Sequence, residues 1–250
     1  NPGGKGGNQS VAAARSGGNV TLIGRIADDE YAHQLIHSFQ KDHIDTSQLK
    51  VDKDAKTGVA FVWVDAKGHN KCVCSLGVNA RVTPQDVQSY AHLFTDRSIV
   101  MTTLEHSSQL LEEISLMARQ NNCILIVDPS SKDYSKLTPE IAGRIDILKP
   151  NEVETEMLTG VRVETEKDAV QAIHILKEMG IRMPVISLGS RGAVYEYKGT
   201  VTSVEGLRVN AVDTTAAGDT FIGSMAARLS QGYTFRESID YANRAAAYCV

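Results

Sequence analysis

Cysteine is scarce and carries no pairing signal. Cys72, Cys74, Cys123 and Cys249 are the four in 250 residues, and none stands in a C-x-x-C pair of the zinc or redox kind. They are expected as small buried or half-buried side chains in a reducing cytoplasm, with Cys72 and Cys74, two apart on a strand, sharing a face. No apolar stretch approaches the roughly 20 residues of a membrane-spanning helix. Charge of one sign is also lacking: 26 Lys and Arg against 30 Asp and Glu leave a net charge of -4, with no basic run. Nucleic acid and an anionic membrane surface are therefore disfavoured as partners. A phosphorylated small molecule is not, because backbone amides and single cations bind phosphate locally. Repeats, low-complexity segments and linkers are missing, which points to one domain over 1–250 with a sizeable core. The start, Asn1-Pro2-Gly3-Gly4, has neither an initiator Met nor a signal-like segment, and residues 245–250 run apolar as though cut in mid-pattern. The chain reads as a piece of a longer one.

What is present is a regular alternation from about residue 98. Short apolar runs at 98–101, 123–127, 145–148 and 184–187 predict buried strands. Helical spacing of apolar residues predicts helices over 109–120, 152–159 and 166–179. Strands alternating with helices imply an α/β fold, a mainly parallel sheet covered on both faces, with any ligand along the edge where the strands end. Two regions break the pattern. Residues 58–64 and 71–75 read as a β-hairpin with its turn at 65–68, and 193–212 reads as β-rich with turns near 198–199 and 205–206. Thr83 and Pro84 open a predicted helix over 85–94 as cap and first position.

Three segments carry chemistry. In the first, a β-rich stretch runs through small residues, Asp213-Thr214-Thr215-Ala216-Ala217-Gly218-Asp219, into a helix predicted over 218–229. A helix start offers free N–H groups and a partial positive charge suited to phosphate. An acid there makes sense if Asp219 takes a proton from an attacking hydroxyl while the amides of Ala217 and Gly218 hold a phosphoryl group. The alternative is that Asp219 only complements the helix dipole. In the second, Gly3-Gly4-Lys5-Gly6-Gly7-Asn8-Gln9 forms a polar, close-approach surface before an Ala-rich helix. It is no Walker A loop, since Gly6 follows Lys5, and no GxGxxG, since Gln9 takes the third glycine's place. In the third, Asn151 and Glu154 lie three apart after a buried strand. They suit either magnesium, held through water and phosphates, or a capping box. His33 and His37 have metal spacing on a helix but lack a third ligand, so a solvated face is the expectation.

Together these motifs resemble the ribokinase-like carbohydrate kinases, the PfkB family, over essentially the whole chain. GGKGGNQ resembles that family's sugar-binding glycine motif, KPNEVE its NxxE motif, SLGSRG its nucleotide-phosphate loop and DTTAAGDTF its C-terminal signature. The resemblance implies a ribokinase-like three-layer fold with a small β-rich lid around 58–75 that pairs two subunits into a homodimer. It also implies transfer of the ATP γ-phosphoryl group to a sugar, the primary 5-hydroxyl of D-ribose. Another acceptor (deoxyribose, a ketose, a nucleoside) and a catalytically silent sugar- or nucleotide-binding protein stand as alternatives. By position, the resemblance makes Asp219 the base and the backbone of Ala216, Ala217 and Gly218 the anion hole. It gives the sugar to Gly4, Lys5, Gly6, Gly7, Asn8 and Glu105. The nucleotide falls to Ser187, Leu188, Gly189, Ser190, Arg191, Gly192, Gly218 and, at the adenine, Asn243. Asn151 and Glu154 would organise Mg2+ and the phosphates, Asn151 also counting toward the nucleotide. Asp213 and the Thr215 carbonyl would hold K+. Ala27-Asp28, Ala32, Ile222 and Ser224 depart from the family's usual residues.

Overall fold

The computed structural model describes residues 2–64, 70–131 and 133–250, except for the side chains at 62, 64 and 70–72. The sheet strands are β1 (Gly24–Ala27), β2 (Leu49–Asp52), β3 (Val59–Val64), β4 (Asn70–Ser75), β5 (Ile99–Thr103), β6 (Ile124–Asp128), β7 (Ile147–Leu148), β8 (Met183–Ser187), β9 (Ala193–Tyr197) and β10 (Thr200–Val204). The helices are α1 (Lys5–Arg15), α2 (Glu30–Lys41), α3 (Pro84–Gln88), α4 (Ser108–Gln120), α5 (Pro139–Ala142), α6 (Glu152–Thr159), α7 (Glu166–Glu178), α8 (Ala217–Ser230) and α9 (Phe235–Cys249). The central sheet runs in the order β10-β9-β8-β7-β6-β5. β5 to β8 are parallel, and β9 and β10 continue antiparallel at one edge.

The period of two along each strand divides the core into two layers. Leu125, Val127, Leu148 and Ile186 point to the face covered by α4, α5 and α7, where Leu110, Ile114, Ile141, Ile173 and Leu176 are buried. Ile126, Ile147, Val185 and Tyr195 point to the opposite face, against Phe221, Ile222 and Met225 of α8 and Ile239 of α9. Strands buried on both faces must read as continuous apolar runs, and these do. Ile222, a departure from the family pattern, sits in this second layer. Ala27 and Ala32, two more, pack with Ile26 and Val78 beneath the β1–β2 pair.

Helix starts are specified locally. Asp29, Thr83, Ser107, Thr138, Asn151, Thr165 and Thr234 each accept a backbone N–H at the start of α2 to α7 and of α9. Among the described residues α1 and α8 are the α-helices that begin without a side-chain cap. Their first amides are left open toward the same place.

Four expectations need correction. The helix predicted over 85–94 stops at Gln88 and resumes as a short 3-10 turn, Ala91–Leu93, because the Ser89 hydroxyl donates to Asp86 O and competes with the helical ladder. The β-rich stretch to 212 ends at Val204, where Asn243 of α9 takes the carbonyl of Glu205. The glycine segment does not precede the Ala-rich helix but forms its first turn: α1 starts at Lys5, and a β-carbon on Gly7 would stand 3.1 Å from the Phe39 ring. Cys123 is buried as expected, but Cys74 and Cys249 are exposed; one lies on the solvent-facing β3–β4 ribbon and the other at the last turn of α9. The predicted hairpin turn at 65–68 lies outside the described residues.

Candidate active site

Strand β6 ends in Asp128, a carboxylate closing an otherwise apolar run, and the uncapped starts of α1 and α8 meet above it. α1 and α8 pack closely because of Gly223, where a β-carbon would fall 2.3 Å from Gln9 O. Ser224 adds a bond, accepting from the Ser16 hydroxyl at 2.9 Å.

Asp219, in the first turn of α8, is buried. Its Oδ2 accepts from Asn8 Nδ2 at 3.0 Å and its Oδ1 from Gln9 Nε2 at 3.1 Å. The second Gln9 Nε2 proton goes to Asp128 Oδ2 at 2.9 Å, so one amide holds two carboxylates that would otherwise repel. Lys5 Nζ stands 3.7 Å from Asp128 and 3.9 Å from Asp219. Burial pulls the Lys5 ammonium toward neutrality, but Asp128, Asp219, Glu154 and Glu105 outweigh it and raise its pKa above the ordinary lysine value. Glu105 follows β5 at the rim. Desolvation, with the charges of Asp128 and Asp219 and against the pull of Lys5, raises its carboxyl above the usual range.

The network continues. Ser130 Oγ stands 2.7 Å from Asp128 Oδ1 and 3.0 Å from Glu154 Oε1, its one proton serving either. Asn151 and Glu154 form a reciprocal capping box at α6: Asn151 Oδ1 accepts from Glu154 N at 2.8 Å, and Glu154 Oε2 from Asn151 N at 2.9 Å. The backbone of Asn151 bridges Ser187. An unbroken chain thus links Asp219, Gln9, Asp128, Ser130, Glu154, Asn151 and Ser187.

Past Ser187 the backbone turns tightly. Leu188 N donates to Gly192 O at 2.7 Å, while Gly189 and Gly192 adopt positive φ, and a β-carbon on Gly192 would meet Val204 O at 2.0 Å. The Arg191 guanidinium is taken up by Glu152, Val163 O and Glu164 O. Ser190 is exposed in the same turn. Asn243 is committed to Glu205 O.

Before α8, Ala216 holds φ 63°, a left-handed conformation that side chains disfavour. Strain at such a position is typical of a ligand-shaped loop. Ala217 N donates to Thr214 O at 3.3 Å, whereas the N–H groups of Gly218 and Asp219 find no acceptor among the described residues. Asp213 Oδ1 accepts from Thr215 N at 2.9 Å. The Thr215 hydroxyl and N–H hold that exposed carboxyl below the usual range. His33 and His37 lie on the outer face of α2. No cluster of three or more His, Cys, Asp or Glu side chains suited to a metal occurs among the described residues.

Sequence reasoning placed Lys5, Asn8, Asn151, Glu154 and Asp219 in one cluster, and they are together. It overlooked Asp128, Gln9 and Ser130. The signal for Asp128 was available: a carboxylate ending a buried parallel strand stands at the edge where such folds bind ligands.

Residues 1–250 match the model of the pfkB family of carbohydrate kinases. The chain is 34% identical over 249 residues to ribokinase of Staphylococcus aureus, covering 99% of this chain and 81% of that protein. It is likewise 34% identical over 248 residues to ribokinase of Haemophilus influenzae, covering 99% and 80%. The structure of Arabidopsis thaliana ribokinase complexed with ribose and ATP superposes with a TM-score of 0.87 at 25% identity, covering 99% of this chain and 81% of that one.

Proposed function

The chain belongs to the pfkB family of carbohydrate kinases, and from that premise we propose that it transfers the γ-phosphoryl group of ATP to the primary 5-hydroxyl of D-ribose. The observation that carries the mechanism is Asp219, a buried carboxylate oriented by Asn8 and Gln9 and flanked by the open amides of Gly218 and its own N–H. As the hydroxyl oxygen bonds to phosphorus, its proton passes to Asp219. The open amides of Gly218 and Asp219 receive the charge of the transferring group, and the bond to the leaving ADP breaks in line. The ribokinases it resembles favour ribose as the acceptor, bound by Gly4, Lys5, Asn8 and Glu105, with Gly6 leaving the first turn of α1 open to the sugar while Gly7 packs that turn on Phe39. ATP follows the turn at 187–192 and extends toward Asn243.

Magnesium takes most of its ligands from phosphate and water, with one or two carboxylates. Glu154 and Asp128, linked through Ser130, fit that need, with Asn151 fixing Glu154; the ion would neutralise the β- and γ-phosphates. Asp213 and the carbonyl of Thr215 supply hard oxygens for K+. The span 1–250 is read as one kinase domain with the β3–β4 ribbon as its lid, covering the sugar against water and pairing with a second copy. No helix among the described residues is long and apolar enough to cross a membrane, and cytoplasmic residence is part of this reading.

The experiment is ADP release with magnesium and potassium across a panel of pentoses, hexoses and nucleosides. Turnover on ribose above all others supports the proposal; a different preferred acceptor moves the substrate and keeps the mechanism. Silence from folded protein replaces the enzyme with a sugar- or nucleotide-binding protein.

A further inference from the structure

Lys149 follows β7 directly, its N–H fixed to Val127 O at 3.1 Å. It is only 3% exposed, and its side chain makes no hydrogen bond or ion pair among the described residues. Lysine is almost never so buried without a partner, and since no fully buried side-chain nitrogen among the described residues lacks one, the Lys149 ammonium is the part of the side chain that reaches the remaining open surface. Its position sharpens the problem: Nζ lies 3.5 Å from where a β-carbon on Gly218 would stand. The ammonium is therefore set against the first turn of α8, where the helix dipole is positive and the N–H groups of Gly218 and Asp219 have no acceptor. Two positive features converge on one point. The nearest acid of the turn, Asp219, is engaged by Asn8, Gln9 and Lys5. Such an arrangement is built to attract an anion between the ammonium and the amides.

We propose that Lys149 is a catalytic residue, its ammonium joining the Gly218 and Asp219 amides to bind the phosphoryl group in transfer. The assignment rests on the kinase reading and adds a side-chain cation to a backbone anion hole. Lys149 exchanges no proton in the step: the new oxygen–phosphorus bond forms, the bond to ADP breaks, and the acceptor's proton goes to Asp219.

The test compares wild type with Lys149→Met and Lys149→Arg. Titration calorimetry should show Lys149→Met weakening ATP about tenfold or more while ADP and ribose stay within about twofold, because the contact is to the terminal phosphoryl group alone. Turnover should fall by about 10²-fold or more, the loss typical of one anion-hole donor, and Lys149→Arg should recover part of it. Turnover by Lys149→Met within about threefold of wild type overturns the assignment. So does an equal loss of ATP and ADP, which marks a structural lysine. Should the Met variant not fold, the Lys149 side-chain nitrogen resonance in wild type gives the answer. It should move with a non-hydrolysable ATP analogue and not with ADP; no response to the analogue overturns the assignment. Wild type that phosphorylates no sugar defeats the kinase reading by itself. Inorganic phosphate then probes Lys149 separately: a shifted resonance supports the anion site, and a still one removes it.

Discussion

Asp219 accepts from two amide donors, Asn8 and Gln9. An Asn in its place keeps the Gln9 bond through its oxygen and needs the Asn8 amide turned to accept from its NH2. Asp219→Asn keeps the shape and removes the base. ATP and ribose affinity should stay near wild type while turnover falls by about 10²- to 10⁴-fold, read by steady-state kinetics beside calorimetry. Near-normal turnover would remove Asp219 from the role. A second carboxylate far from the site governs acid stability. Burial raises the Asp86 carboxyl, but Arg25, Lys50 and Thr83 outweigh it and hold it well below the usual range. With its folded pKa depressed, the stability it contributes is whole above the unfolded value of about 4 and fades as pH falls toward the folded one. Asp86→Asn should cost about 2 kcal/mol at pH 7, the buried-pair loss reduced for the partly exposed Arg25 and Lys50. That deficit should shrink below pH 4 in urea melts. A deficit constant with pH would show that charge is not its source.

At the scale of elements, the contact of α1 with α8 builds the site, and Gly223 permits it. A methyl there meets Gln9 O at 2.3 Å and the Ala12 β-carbon at 2.8 Å. Gly223→Ala should destabilise by about 2 kcal/mol through overpacking and lower turnover as well, since Asn8 and Gln9 ride on the displaced helix; denaturant titration and kinetics check both. Full stability and activity would mean that the helices separate freely. The segment before α8 carries a different prediction. If Asp213 and the Thr215 carbonyl hold a monovalent cation, exchanging potassium for sodium should lower turnover several-fold in the same assay, and equal rates would sink that site.

For the whole molecule, the β3–β4 ribbon is the unsettled surface. Val59, Phe61 and Trp63 alternate onto one face, Phe61 pairs with Val73 across the ribbon, and the Phe61 and Trp63 rings lie 6.3 Å apart. Trp63 is 59% exposed. A two-stranded ribbon with an apolar face is marginal in water and marks an interaction surface. On the proposed homodimer, Trp63→Glu should shift sedimentation velocity from dimer to monomer at micromolar concentration. A wild type that sediments as monomer would overturn the pairing.

Local physics left clear marks in the sequence. Apolar runs read as buried strands because both sheet faces are covered. The helical spacing over 152–159 matches α6, Glu152–Thr159, which the capping box of Asn151 and Glu154 opens and Gly160 closes. The glycine and DTTAAGDTF motifs point to the family and to Asp219 as the proposed base. Only tertiary structure decided the rest. Gln9 joins Asp128 across 119 positions and Asp219 across 210, and Lys149 reaches Gly218 from another strand. Such contacts have no periodicity and no spacing in the chain. They exist because the mainly parallel sheet brings its strand ends and two uncapped helix starts to one edge, and a network built there leaves no local signature until the layers have packed.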